Sequence, residues 1–227
     1  MDYENMERMM YRFETKELLE DSLADELLKI FGESIEKYGN ATLLVSGGST
    51  PKGLFKKLSE RKLPWENITI GLVDERFVNN SSEFSNEKLI RETLLQNEAK
   101  DAAFIPMVYD DLGEIINLEL AQKAYEKLER LDAVILGMGD DGHTASIFPN
   151  DPESEIAVNT QELIVSTKAP NFPTNRITCS LKFLQGAKRT FLFFTGENKL
   201  KVLNESVDKK HPIAHFYNPN TDIYFSN

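Results

Sequence analysis

His143 stands in "GMGDDGHTASIFP", Gly137–Pro149, directly after the apolar run "DAVIL" of Asp132–Leu136. Imidazole is the side chain best suited to taking and returning a proton near neutral pH. Asp141, two residues earlier, is spaced to orient the ring and to stabilise its charged form, leaving the other nitrogen for a proton from water. Most lone histidines are structural or merely exposed. What distinguishes this one is a glycine-rich strand end with an acid beside it.

Four further stretches offer cations or free amides that suit an anion. In "SGGSTP", Ser46–Pro51, Thr50 has the chemistry of an N-cap and Pro51 fits a first helical turn. Gly47 and Gly48 permit close backbone approach, so Gly47, Gly48, Ser49 and Thr50 form a candidate phosphate cradle at a helix start. The same residues also suit an ordinary strand-to-helix turn that binds nothing. "VDERF" brings Asp74, Glu75 and Arg76 to a strand end, where Arg76 is able to fork onto a phosphate while the acids hold it. For any isolated Arg flanked by acids, a surface ion pair is the better reading. Arg176 in "PTNRIT" and Lys199 in "GENK" supply two more cations. A single lysine would be solvated surface; it is the number of cations in motif loops that argues for an anion site.

Several familiar sites are excluded. Gly137, Gly139 and Gly142 spell G-x-G-x-x-G, but Asp140 and Asp141 would face a pyrophosphate and Pro149 cuts short the helix that should follow. Glu162, at the distance of a ribose-binding acid, opens a strand instead of closing one. The P-loop lysine pair, the spaced carboxylates of a calcium loop and the G-x-S-x-G elbow are missing. His211 and His215 are four apart, but Pro212 lies between them and a helical metal pair is not expected. Cys179 is the only cysteine, so no intrachain disulfide or thiolate cluster is possible.

These loops need a scaffold that presents them together. Ala41–Ser46, Ile68–Asp74, Asp132–Gly137, Glu162–Thr167 and Thr190–Gly196 read as strands, several apolar at consecutive positions as in strands covered on both faces. Leu19, Leu23, Leu27, Ile30, Ser34 and Tyr38 trace one helix face, and Leu118, Ala121, Tyr125 and Leu128 another. Asn198–Val207 reads as a third helix, and the end runs "IAHFY" and "DIYFS" as possible extra strands. The alternation predicts an α/β fold with a mainly parallel sheet and helices on both faces. The loops "GGSTP", "DERF", "GMGDDGH" and "GENK", each following one of these strands, would then share the carboxyl edge of the sheet, where open parallel sheets bind ligands. With no linker, repeat or compositional break, residues 1–227 read as one domain. Its likeliest weak point is the Pro- and acid-rich stretch of residues 148–155.

The 227 residues carry 26 Lys and Arg against 37 Asp and Glu, a formal net charge of −11. So acidic a chain is repelled by nucleic acid and by anionic membrane surfaces. An anionic ligand would need cations gathered locally against that field. The charged start "MDYENMERMM" lacks an apolar signal core, and no stretch reaches the ~18 apolar residues of a membrane span. A reducing cytoplasmic setting is expected.

In order along the chain, "SGGSTP", "DERFV", Ser85–Asn86, "LGMGDDGHTASIFP", Pro173 with "RIT" and "GENK" resemble the 6-phosphogluconolactonase family. The resemblance implies a Rossmann-like core similar to glucosamine-6-phosphate deaminase and ribose-5-phosphate isomerase, with no metal or organic cofactor. The related deaminases continue toward an Asn-Glu-Pro with a catalytic Glu and tend to "DEY". Here the stretch is "SIFP", and Arg76 follows Glu75. Tyr224 stands where the family often has Trp. The implied reaction is hydrolysis of 6-phospho-D-glucono-1,5-lactone, with His143 as general base and Asp141 its partner. Backbone amides would hold the oxyanion, and Gly47, Gly48, Ser49, Thr50, Asp74, Arg76, Arg176 and Lys199 would form the substrate and phosphate site. The expected partner is a small phosphorylated sugar lactone, with the chain a monomer or weak homo-oligomer. A glucosamine-6-phosphate deaminase, or a catalytically silent sugar-phosphate-binding module, are the alternatives.

Overall fold

Strands that are hydrophobic at successive positions can be satisfied only between two layers of helix, and the chain builds that arrangement. The computed structural model describes residues 9–109 and 112–227; the first eight residues of the charged start lie outside them. Strand β1 (Met10–Phe13) leads into helix α1 (Lys16–Tyr38), and β2 (Ala41–Val45) into α2 (Lys52–Ser59). Then come β3 (Ile68–Leu72), β4 (Asp74–Arg76), α3 (Asn86–Thr93), β5 (Ala103–Ile105), α4 (Glu114–Tyr125) and β6 (Ala133–Leu136). The last third holds α5 (Pro152–Asn159), β7 (Ile164–Lys168), β8 (Asn175–Cys179), α6 (Leu181–Gln185), β9 (Arg189–Thr195), α7 (Glu197–Glu205) and β10 (Thr221–Ser226).

Seven strands form one sheet in the order β1-β10-β9-β6-β2-β3-β5, and every pairing in it is parallel. Strands β2 and β6 are buried at every position, which accounts for their unbroken apolar sequences. Helix α1 begins where the Thr15 hydroxyl accepts from Leu18 N–H and ends at left-handed Gly39. Its Leu19, Leu23, Leu27, Ile30 and Phe31 enter the core. No helix among the described residues is long and apolar enough to cross a membrane.

The chain leaves β2 toward β3 and β5, then returns to place β6 on the other side of β2. Strand order therefore reverses between β2 and β6. A right-handed crossover rule sends helices to opposite faces on the two sides of such a point and opens a crevice above the carboxyl ends of the two strands. The expected parallel α/β sheet is borne out.

Three local expectations are corrected. Glu162–Thr167 is not a strand of the parallel sheet: β7 pairs antiparallel with β8, and β8 with β4, in a separate three-stranded sheet. Of the run "DERF", Asp74–Arg76 is itself strand β4 rather than a loop. "IAHFY" forms a 3₁₀ turn, Pro212–Phe216, because Pro212 supplies no ladder N–H but suits a first helical position. "DIYFS" does become a strand, β10. Part of the stretch expected to be weak is helix α5, capped by Asp151.

Candidate active site

The crevice between β2 and β6 is an open cleft of about 270 Å³. Gly47, Gly48, Ser49 and Thr50 line one side, Gly137, Met138, Gly139 and His143 the other, and Asp74, Arg76, Arg176 and Lys199 close it. Of the residues expected to form the site, all border this cleft except Asp141, which touches it through His143; Glu75, beside them in sequence, does not. Ser46 ties the two walls: its N–H donates to Ile135 O at 3.0 Å, and its hydroxyl accepts from Gly137 N–H at 3.3 Å.

The first wall departs from expectation in one detail. Helix α2 begins at Lys52 with Pro51 in the N-cap position and no side-chain cap bond. Thr50 does not cap. Proline disfavours helical geometry in the residue before it, so Thr50 stays in the turn and borders the cleft instead. Asn86, buried at the start of α3, donates from Nδ2 to Asp74 O at 2.9 Å. Its amide lies where a Cβ on Gly47 would fall, within 1.8 Å of Oδ1, so only glycine fits there.

On the opposite wall the imidazole of His143 meets Asp141, Nδ1 to Oδ1, at 2.6 Å. Asp141 Oδ1 also accepts the His143 backbone N–H at 3.1 Å. Burial pushes the Asp141 carboxyl up, but the bond and charge of His143, with backbone N–H groups, outweigh it and bring it to about 2. An ionised carboxylate is acceptor only, so Nδ1 carries the proton, and in the neutral ring the lone pair is then on Nε2. Gly139 makes the pair possible, since a Cβ there would lie 2.2 Å from the imidazole and 2.7 Å from Asp141 Oδ1. The loop closes on itself through Gly139 N–H to His143 O at 2.9 Å. It is anchored by Thr144 Oγ1 to Gly137 O and by Ile213 N–H to Gly142 O.

Strands β4 and β8 set the cationic end. Their antiparallel register places Arg76 directly opposite Arg176. Like charges so placed repel one another unless an anion lies between them. Arg76 NH1 donates to Phe84 O at 2.7 Å, and Arg176 Nε to Pro173 O at 2.9 Å. Neither guanidinium has a carboxylate partner within salt-bridge distance among the described residues, and Arg76 Nε is buried with no hydrogen-bond partner. Burial lowers the Arg176 pKa; Asp74 and Glu75 raise it and Arg76 lowers it further. Asp74 is buried, its Oδ2 accepting from Ser146 Oγ at 2.6 Å. Glu75 is fully buried and tied inward: its carboxylate accepts from Arg76, Asn86 and Glu87 N–H. Burial pushes it up to about 7 against those bonds. It holds β4 to the start of α3 and does not face the cleft.

Two contributors were missed in the sequence. Asn86 was noted only as part of a motif; its position after Ser85, which caps α3, was the available signal. Phe148 packs 4.8 Å from the His143 ring centroid and 5.9 Å from the Arg176 guanidinium, linking the two ends of the cleft. Nothing in a lone aromatic of a turn announces such a contact. Among the described residues no cluster of three or more His, Cys, Asp or Glu side chains is placed to hold a metal.

Parallel sheet and switch-point crevice define the class: a doubly wound α/β protein whose cleft brings facing arginines and a histidine–carboxylate pair together. The model of the family described as glucosamine-6-phosphate isomerases/6-phosphogluconolactonase matches residues 14–225, and the chain belongs to that family. A 6-phosphogluconolactonase of Helicobacter pylori is 33% identical over 225 residues, 96% of this chain and 97% of the relative. One of Rhizobium meliloti is 36% identical over 88% of each chain. The crystal structure of a 6-phosphogluconolactonase from Shewanella baltica superposes with a TM-score of 0.92 at 35% identity, covering 96% of this chain and 97% of the other. A monomeric glucosamine-6-phosphate deaminase shares the fold, with a TM-score of 0.77 at 16% identity over 96% of this chain and 97% of the other.

Proposed function

We propose that the chain hydrolyses 6-phospho-D-glucono-1,5-lactone to 6-phospho-D-gluconate, the lactonase step of the oxidative pentose phosphate pathway. The observation that carries the reading is one cleft with opposed, unpaired Arg76 and Arg176 at one end and the His143–Asp141 pair at the other. The relatives' names agree with it.

His143 Nε2 takes a proton from water as the water oxygen bonds to C1. The tetrahedral oxyanion collapses, the bond from C1 to the ring oxygen breaks, and the imidazolium returns its proton to that oxygen. Asp141 holds the ring with Nδ1 protonated and offsets the imidazolium charge. The phosphate sits on the Gly47–Thr50 turn between Arg76, Arg176 and Lys199, with the charge of Asp74 favouring the charged form of Arg176. The chain acts as one domain, a monomer or weak homo-oligomer of the cytoplasm without nucleic-acid partners, in keeping with its net charge of −11.

His143→Asn tests the reaction. The variant keeps polarity and size but loses the basic nitrogen, and kcat for lactone opening should fall by roughly 10²–10⁴ after subtraction of spontaneous opening. A folded variant with wild-type turnover would remove His143 as the base. Ammonia release from glucosamine 6-phosphate, assayed in parallel, would move the reading to the deaminase.

A further inference from the structure

Three cations border the cleft, and they are anchored to different loops. Arg76 and Arg176 bond carbonyls of Phe84 and Pro173, on the segments around the small sheet. Lys199 instead donates from Nζ to Met138 O at 2.5 Å. Met138 immediately precedes Gly139, whose N–H holds His143 O and whose O accepts Gly142 N–H at 3.1 Å. One side chain therefore reaches from α7 into the turn that carries the base.

An ammonium has three donors, and Met138 uses one. The other two remain for an anion taken up beside the arginines. A long lysine side chain loses considerable rotamer freedom when fixed, so an anion that holds Nζ also holds the Met138 carbonyl and the loop after it. We propose that Lys199 is a positioning residue that couples occupancy of the anion site to the placement of His143. A phosphate-type anion bound separately should then accelerate opening of a lactone that carries no phosphate. The proposal rests on reading the cationic end as a phosphate site.

The test is the opening of D-glucono-1,5-lactone by the whole chain as inorganic phosphite is titrated at constant ionic strength, with enzyme-free rates subtracted. A saturable rise of about tenfold in kcat/KM is expected, the anion supplying in separate form part of what a covalent phosphate supplies. In Lys199→Met the activation should drop toward onefold, while phosphite still inhibits the phosphorylated lactone through the arginines. Lys199→Arg, with a donor of similar reach, should recover part of it. Phosphite that competes with phosphorylated lactone without activating the plain one would overturn the coupling and leave the phosphate site standing. Phosphite that does neither would overturn both. Full activation in a folded Lys199→Met would remove Lys199 as the link. The wild-type titration decides the coupling even if that variant fails to fold.

Discussion

Two arginine-and-carboxylate regions lie beyond opposite ends of the parallel strands, and they are finished differently. Before β6, Asp132 is fully buried and accepts from Ser34 Oγ at 2.7 Å, Thr42 N–H at 2.8 Å and Arg130 Nε at 3.1 Å. Arg130 in turn bonds Asn40 and lies 4.2 Å over the Tyr38 ring. Beyond the carboxyl ends of the strands, Arg76 and Arg176 oppose each other with a single carbonyl bond apiece. The first region has its polar groups satisfied from within and serves the fold. The second is short of acceptors, as the proposed phosphate site requires.

The largest effect should come from breaking the satisfied end. Asp132→Ala leaves Thr42 N–H, Ser34 and Arg130 without their common acceptor, and because Arg130 is only half-buried the cost should fall near the lower end of the ~3–5 kcal/mol for breaking a buried pair. Denaturant unfolding should show that loss, while KM of the protein that remains folded is unchanged. A loss under about 1 kcal/mol would mean water replaces the carboxylate and the two ends differ less than their hydrogen bonds indicate.

The unsatisfied end should respond in the opposite sense. Arg76→Ala and Arg176→Ala each remove a charge-assisted contact to phosphate worth roughly 1.5–3 kcal/mol, about ten- to a hundredfold in KM. The unfolding midpoint should hold steady or rise, since the substitution relieves cross-strand repulsion. Unaltered KM in both variants would return these arginines to the status of surface cations. A related comparison needs no mutation: kcat/KM for the phosphorylated lactone should far exceed that for plain gluconolactone, because the remote phosphate helps position the carbonyl.

That contrast also marks what the sequence could disclose. The parallel strands were legible because burial on both faces leaves an unbroken apolar run, as in "ATLLV" and "AVIL". The His143–Asp141 pair was legible because it is local, two residues apart in one turn. The facing of Arg76 and Arg176 was not, since it depends on the register of β4 against β8, a hundred residues later in the chain. Strand β7 read as one more strand of the parallel sheet because its residues do not encode the direction of its partner. Thr50 looked like a cap because its residue type permits it; the proline after it decided otherwise. Likewise the amide of Asn86 reaches Gly47 only after α3 has folded back across β4.

The smallest effect concerns Asp141, which sits on the exposed side of the cleft. Its carboxyl is depressed to about 2 from 3.8. A depressed acid contributes stability that is fully present above its unfolded value, near pH 4, and is lost as the pH falls through about 2. Asp141 is 42% exposed, so solvent screens the pair and the contribution should stay below about 1 kcal/mol. Asp141→Asn should therefore lower neutral stability by less than about 1 kcal/mol and flatten the acid limb slightly between pH 4 and pH 2, the two proteins converging below about pH 2. In kinetics it should reduce kcat by less than the roughly 10²-fold lower bound expected for losing the base itself. The amide oxygen can still accept from Nδ1 and orient the ring, but it no longer offsets the imidazolium charge. KM should not change, because Asp141 lies at the histidine end, away from the arginines. A loss as large as that of His143→Asn would make Asp141 indispensable to proton transfer. An unchanged kcat would show that Gly139 and the loop's own hydrogen bonds orient the imidazole without it.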